Sequence, residues 1–301
     1  MDDERYVSAV HPAVRFVARL TRAPMPDRLD PLVDEQGDLG PYPVRHTLAV
    51  ATTPRSGSTL LIRSLHAAGF GHGDEFWSER LLFGGQVRWG IGRPSLIGQV
   101  GQARRAIRQV PTWWFHQRMS THDLVAYHRH LESCRTSANG VFAIKLFPND
   151  VRRVLARQGL EATQLLSGQQ HWVHLRRRER IAQAISYYRA FHTQEWVGSD
   201  DPLPFTAAEV DQDGFAQIRR FLDQFEAWDR WWVEWFDQRG IEPIEVTYED
   251  LDDDLLDTLR RVVEPIGGSV PADLAPPLQR QGDDQNEELR QRFLDAHPDF
   301  A

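Results

Sequence analysis

Four short apolar runs, each followed by a polar stretch with helical spacing, set the pattern of this chain. Leu48 to Ala51, Gly140 to Phe147, His171 to Leu175 and Ile244 to Tyr248 read as strands. The second is nearly continuously apolar, as a strand covered on both faces is. Helices are predicted over Ser58 to Ala68, 101–110, 120–135, 150–166, Ile181 to Phe191, Gly214 to Arg239 and 249–264. In the longest, Phe215, Ile218, Phe221, Leu222, Phe225, Trp228, Trp232 and Trp235 recur at the period of one buried face, and Gly240 is placed to stop it. Val7, Val10, Val14, Val17 and Leu20 give residues 4–22 an amphipathic pattern, and five prolines between Pro24 and Pro43 make the next stretch an extended lead-in. Residues 78–100 and 197–213 show no clean period, and the tail from Pro271 is polar. Strands alternating with helices predict an α/β fold with a parallel sheet, whose ligands sit at the carboxyl ends of the strands.

Composition narrows the function classes. The 301 residues suit one large α/β domain or two small ones, and 41% hydrophobic with 26% charged residues is ordinary globular usage. A formal net charge of −8 argues against general nucleic-acid binding. An anionic ligand must therefore be held by a local basic cluster. Cys134 is the single cysteine, so no intrachain disulfide or Cys-rich metal site can form. No apolar run has the length of a membrane span, and Met1-Asp-Asp-Glu-Arg5 does not open as a signal peptide does. A cytoplasmic protein is the expectation.

The candidate chemistry gathers at predicted strand ends. After the first strand comes Thr53-Pro-Arg-Ser-Gly-Ser-Thr59, then a helix. Strand, tight turn and helix N-terminus offer backbone N–H groups to an anion, and Arg55, Ser56, Ser58 and Thr59 add side-chain donors. The turn lacks the lysine of a Walker A motif. A plain βα turn would account for the glycine and serines, but it has no need of Arg55. The third strand runs into Arg176-Arg-Arg-Glu-Arg180, which is either a solvated face or a second anion site, with Ser186 two helical turns on. Two basic strand ends suit a ligand carrying two separate phosphates. Glu75 closes a glycine-rich loop just before Phe76-Trp77 and is a candidate general base. Lys145, alone in an apolar strand, either snorkels to solvent or supplies a cation at the ligand edge. The twelve histidines form no metal-binding pattern.

Taken together, Pro54-Arg-Ser-Gly-Ser-Thr59, Glu75-Phe-Trp77, Gly140-Val-Phe-Ala-Ile-Lys145, Leu175 to Ser186, Tyr187-Tyr-Arg-Ala190, Gly240 to Tyr248 and Leu278-Gln-Arg-Gln281 resemble the bacterial trehalose 2-sulfotransferase family from about residue 46 to 293. The resemblance implies the sulfotransferase fold, a P-loop-like parallel sheet flanked by helices in three layers. It implies one domain over 1–301, with an N-terminal extension at about 1–45. It also implies transfer of a sulfuryl group from 3′-phosphoadenosine 5′-phosphosulfate (PAPS) to a hydroxyl of a small-molecule acceptor (a sugar, glycolipid or natural product). Arg55, Ser56, Gly57, Ser58 and Thr59 would hold the 5′-phosphosulfate, and Arg177 and Ser186 the 3′-phosphate. Arg280 and Gln281 would close over the nucleotide. Glu75 would be the catalytic base, with His72 in the same loop a rival. Family members are often dimers, and the chemistry calls for no metal and no nucleic-acid partner. From the residues alone, a kinase with a degenerate phosphate loop and a non-catalytic nucleotide-binding protein remain open.

Overall fold

Strands β1 (His46–Thr52), β2 (Val141–Leu146), β3 (Gln169–Arg176) and β4 (Ile244–Thr247) form one parallel sheet in the order β2-β1-β3-β4 in a computed structural model of the chain. The structure describes residues 37–78, 81–82, 85, 88–91, 119–193, 195–196, 204–278 and 284–300. The predicted helices over 4–22 and 101–110 and the site candidates Arg280 and Gln281 lie outside these residues. β1 is buried along nearly its whole length and β2 along all of it, Lys145 included, as their largely apolar runs require. β4 lies against β3 with Val173 opposite Ile244 and Arg176 opposite Thr247. Strand order reverses beside β1, where the chain leaves for β2 on one side and returns to β3 on the other.

The chain divides into two compact units. The first comprises Met1–Leu48 and Gly69–Gln170, and the second Ala49–Ala68 and His171–Ala301. The main helix of the first unit is α2 (Thr121–Arg135), which follows α1 (Ser58–Ala67) of the second in chain order and is capped by the Ser120 hydroxyl, which accepts from the Asp123 N–H at 3.1 Å. The helix expected over 150–166 is not continuous. A π-helical run, Asp150–Leu155, tightens into a 3₁₀ turn and stops at Gly159, whose φ of 68° is left-handed. A separate helical turn, Ala162–Leu165, follows.

The second unit holds α1 (Ser58–Ala67), α3 (Arg180–Thr193), α4 (Gln212–Asp237), α5 (Tyr248–Asp253), α6 (Leu255–Val263) and α7 (Asp284–Ala296). The predicted single helix over 249–264 is two, because Asp254 is extended and caps α6 by accepting from the Asp257 N–H at 2.9 Å. The polar tail contains α7, a helix the apolar pattern does not announce. Its Leu289 and Phe293 are fully buried in a core with Ala184, Ile185, Phe215, Ile218, Leu222 and Phe225 from α3 and α4.

Candidate active site

In the second unit, three strand ends deliver the candidate anion-binding residues. β1 ends at Thr52 and leads into the turn 53–57, β3 leads to Arg177, and β4 leads to Tyr248. The Arg55 Nε donates to Ser186 Oγ at 2.9 Å, and its Nη1 to the Trp196 carbonyl at 2.6 Å. Arg177 Nη1 donates to the Arg55 carbonyl at 3.4 Å, while its guanidinium lies 4.4 Å over the Tyr248 ring. That cation–π contact is worth about 0.5–2 kcal/mol. The Tyr248 ring also rests against Gly57, where an added Cβ would come within 2.7 Å of it. Gly57 has φ 85°, and no side chain caps the helix it opens. Thus Arg55, Gly57, Arg177 and Ser186 form one cluster.

The electrostatics suit a polyanion. Burial lowers the Arg55 pKa first, and the neighbouring Arg177 and Arg189 lower it further, with Glu195 opposing. Crowded, desolvated cations are stabilised when negative charge arrives. The residues present therefore fit a ligand with phosphate groups.

Ser56 is placed differently from the sequence expectation of a side-chain donor. It is fully buried, and its hydroxyl pairs with Thr52 Oγ1 at 2.5 Å. Thr52 Oγ1 in turn donates to the Leu175 carbonyl at 2.8 Å, joining the ends of β1 and β3. Ser56 thus braces the turn from inside, which leaves its backbone N–H as the group it can offer a ligand. Ser58 is buried at the first position of α1, and Thr59 is half-buried.

In the first unit, Glu75 and Lys145 form an ion pair with Oε1 and Nζ 2.7 Å apart. Lys145 is 4% exposed, so it does not snorkel to solvent, and its cationic end stays with the carboxylate. The backbone sets the pair: the Lys145 N–H donates to the Asp74 carbonyl at 3.1 Å, laying the 71–75 loop along β2. Phe76 and Trp77 are buried anchors rather than a wall for ligand. Tyr127 Oη donates to the Phe76 carbonyl at 2.6 Å, and Phe76 stacks on Phe142 with centroids 5.9 Å apart. His72, the rival base, has its Nδ1 within 2.9 Å of the Gly37 carbonyl and 3.1 Å of Arg135 Nη1.

Three residues that the sequence reading did not single out as site residues hold the anion turn. Gln183 is fully buried and bonds Thr53 and Pro54, Tyr248 carries Arg177, and Trp232 Nε1 donates to the Thr52 carbonyl at 3.1 Å. Gln183 carried a usable signal, being a polar residue three before Ser186 on the inner side of a helix. Trp232 did not, because it fits the core period of α4.

Trehalose 2-sulfotransferase of Mycobacterium tuberculosis (strain ATCC 35801 / TMC 107 / Erdman) is 29% identical over 269 residues, covering 83% of this chain and 94% of that protein. Trehalose 2-sulfotransferase of Mycolicibacterium smegmatis (strain ATCC 700084 / mc(2)155) is 26% identical over 266 residues, covering 81% and 92%. Among solved structures, the sulfotransferase domain from the curacin biosynthetic pathway superposes with a TM-score of 0.39 at 17% identity, over 82% of this chain and 84% of that one. Residues 47–296, which run through both compact units, match the Stf0 sulphotransferase family. Of the readings open from the residues alone, this selects sulfuryl transfer: the chain belongs to the Stf0 sulphotransferase family.

Proposed function

We propose that this sulfotransferase uses PAPS as donor and a hydroxyl of a small-molecule acceptor, with Glu75 as general base. The observation that carries the donor assignment is the cluster of Arg55, Arg177 and Ser186, brought together from three separate stretches of chain. PAPS supplies an activated sulfuryl group on a phosphate oxygen and a second phosphate at the 3′ position. Arg55 with the N–H groups of the turn binds the 5′-phosphate, whose bridging oxygen gains charge as the S–O bond to it breaks. A buried donor aimed at such charge is worth roughly 10²–10³ in rate. Arg177 and Ser186 hold the 3′-phosphate, Arg177 through a guanidinium fork that can meet two oxygens at once. Arg280 and Gln281 are assigned to the nucleotide by the family resemblance alone.

Glu75 takes the acceptor proton as the new O–S bond forms. Lys145 orients the carboxylate, a role supported by their 2.7 Å contact. The acceptor is a sugar or comparable polyol, and trehalose is the first to try because two relatives are named for it. The proposal extends to one domain over 1–301 with an extension at about 1–45, and to a cytoplasmic, homodimeric bacterial enzyme. No helix among the described residues is long and apolar enough to cross a membrane.

The test is sulfuryl transfer from PAPS, followed by mass spectrometry on trehalose and a panel of hydroxylated metabolites, with wild type and Glu75→Gln. The expected variant binds adenosine 3′,5′-diphosphate within about twofold of wild type by calorimetry, and turns over about 10²–10⁴-fold more slowly. Unchanged turnover would remove Glu75 as base.

A further inference from the structure

Three carbonyls at the anion turn, that of Thr52 at the end of β1 and those of Pro54 and Arg55 within the turn, accept hydrogen bonds from side chains on other segments. Trp232 Nε1 reaches the Thr52 carbonyl at 3.1 Å, Gln183 Nε2 the Pro54 carbonyl at 2.7 Å, and Arg177 Nη1 the Arg55 carbonyl at 3.4 Å. A planar trans peptide points its C=O and the following N–H in opposite directions, and the described residues contain no cis bond. Holding the Pro54 oxygen from behind therefore turns the Arg55 N–H the other way, and holding the Arg55 oxygen does the same for the Ser56 N–H. Side chains behind the turn thereby set the direction of its donors.

Gln183 is the best built of these ties. It is 0% exposed, and the same Nε2 also donates to Thr53 Oγ1 at 2.8 Å. Its amide can stand only one way round. The Pro54 carbonyl only accepts, so the NH₂ faces the turn; Arg180 only donates, and its Nη1 lies 3.4 Å from Gln183 Oε1. Arg180 is itself fixed by an ion pair with the buried Asp229 of α4. The turn needs such a tie. Arg55 has φ 62°, a left-handed conformation that non-glycine residues seldom adopt and that persists only when its surroundings hold it.

We infer that Gln183 is a positioning residue for the donor's 5′-phosphate, holding the 53–57 turn in the anion-binding conformation without touching the ligand. This rests on the nucleotide reading above. Removing the two bonds lets the turn relax, and apparent affinity then falls in proportion to the competent fraction that remains.

The test compares two nucleotides by calorimetry on folded protein. Adenosine 3′,5′-diphosphate uses the turn, whereas 3′-AMP lacks the 5′-phosphate. The ratio of their dissociation constants is the 5′-phosphate increment. Gln183→Leu keeps the bulk without the donor, and Gln183→Glu keeps the shape while removing the NH₂. Each is expected to cut the increment about tenfold or more, with 3′-AMP binding within about twofold of wild type. Thr53→Val, which removes one of the two acceptors and leaves α3 untouched, is expected to cut it by a smaller factor. A structural role alone would weaken both nucleotides equally. An increment within twofold of wild type in those variants that fold, or equal loss for both nucleotides, overturns the inference. Wild-type protein that binds neither nucleotide, or both equally, instead overturns the nucleotide reading and this inference with it.

Discussion

Replacing Gly57 by alanine asks two things of the turn at once, and a second glycine separates them. At φ 85° an alanine pays the left-handed penalty of about 1–2 kcal/mol. Its Cβ would also stand 2.7 Å from Tyr248 Cδ2 and 3.5 Å from Leu251 Cδ1. The first distance is below any real contact, so the ring must move, and overpacking of this kind costs about 1–3 kcal/mol. The sum is about 2–5 kcal/mol. Gly69 has φ 90°, yet a Cβ there meets nothing within 4 Å, so Gly69→Ala carries the backbone penalty alone. At about 2–4 °C per kcal/mol for a domain of this class, Gly57→Ala is expected to lower Tm by on the order of 10 °C and Gly69→Ala by a few degrees. The functional arm is sharper. Tyr248 carries Arg177 at 4.4 Å, so displacing the ring disturbs the residue assigned to the 3′-phosphate. Loss of a contact worth about 0.5–2 kcal/mol corresponds to about a 2–30-fold weaker hold on adenosine 3′,5′-diphosphate, and Gly69→Ala should leave it unchanged. Differential scanning fluorimetry and calorimetry read the two arms. Equal Tm losses in the two variants, with unchanged nucleotide affinity in Gly57→Ala, would refute the packing of Tyr248 between the turn and Arg177.

Two predictions concern groups in the first unit. Burial alone would raise the Glu132 pKa, but bonds from His128 and from the Ser167 hydroxyl and N–H bring it below its ordinary 4.5. A carboxylate depressed in the fold contributes stability that is present above its unfolded pKa and lost as pH falls through the folded one. Glu132→Gln is therefore expected to flatten the decline of stability below about pH 5, read by urea unfolding from pH 7 to 4, and an unchanged slope would count against it. The Cys134 thiol is pushed up to about 11, first by burial and then by the charge of Asp38. Native protein should react with a thiol reagent at pH 8 on the order of 10²-fold more slowly than free cysteine, and fast native labelling would contradict that environment.

The parts legible in the sequence are those where one local pattern decides the outcome. Short, largely apolar runs gave β1, β2 and β3, and a long run at helical spacing gave α4. Arg55 stood out because a plain turn does not need it, and Lys145 because an apolar strand does not. What could not be read there depends on partners far along the chain. α7 has only Leu289 and Phe293 to bury, too few to rise above its polar neighbours, and both are covered by residues of α3 and α4. The break at Asp254 turns on which of three successive aspartates, Asp252 to Asp254, becomes a cap, a choice made by φ/ψ rather than by residue type. Ser56 reads as a ligand donor until Thr52 takes its hydroxyl.

The proposed donor would set a polyanion on a chain of net charge −8. Distant charge is screened over about 10 Å at ordinary ionic strength, so the local field decides. Here that field comes from Arg55 and Arg177, with Arg189 close enough to act on Arg55. Burying these cations together is unfavourable, and the surroundings hold them there. Tyr248 gives Arg177 a π-face, Ser186 and the Trp196 carbonyl accept from Arg55, and Glu249 fixes the backbone after Arg177 by accepting from the Arg178 and Glu179 N–H groups at 3.0 and 3.1 Å. Those bonds also bring the Glu249 pKa down against its burial, so it stays an anion beside the cluster. A Walker lysine would be one point charge on a flexible stem. This site uses guanidinium forks braced from behind, together with a turn whose carbonyls are tied back. Both devices place donors before the ligand arrives, so that less ordering remains to be done when it binds.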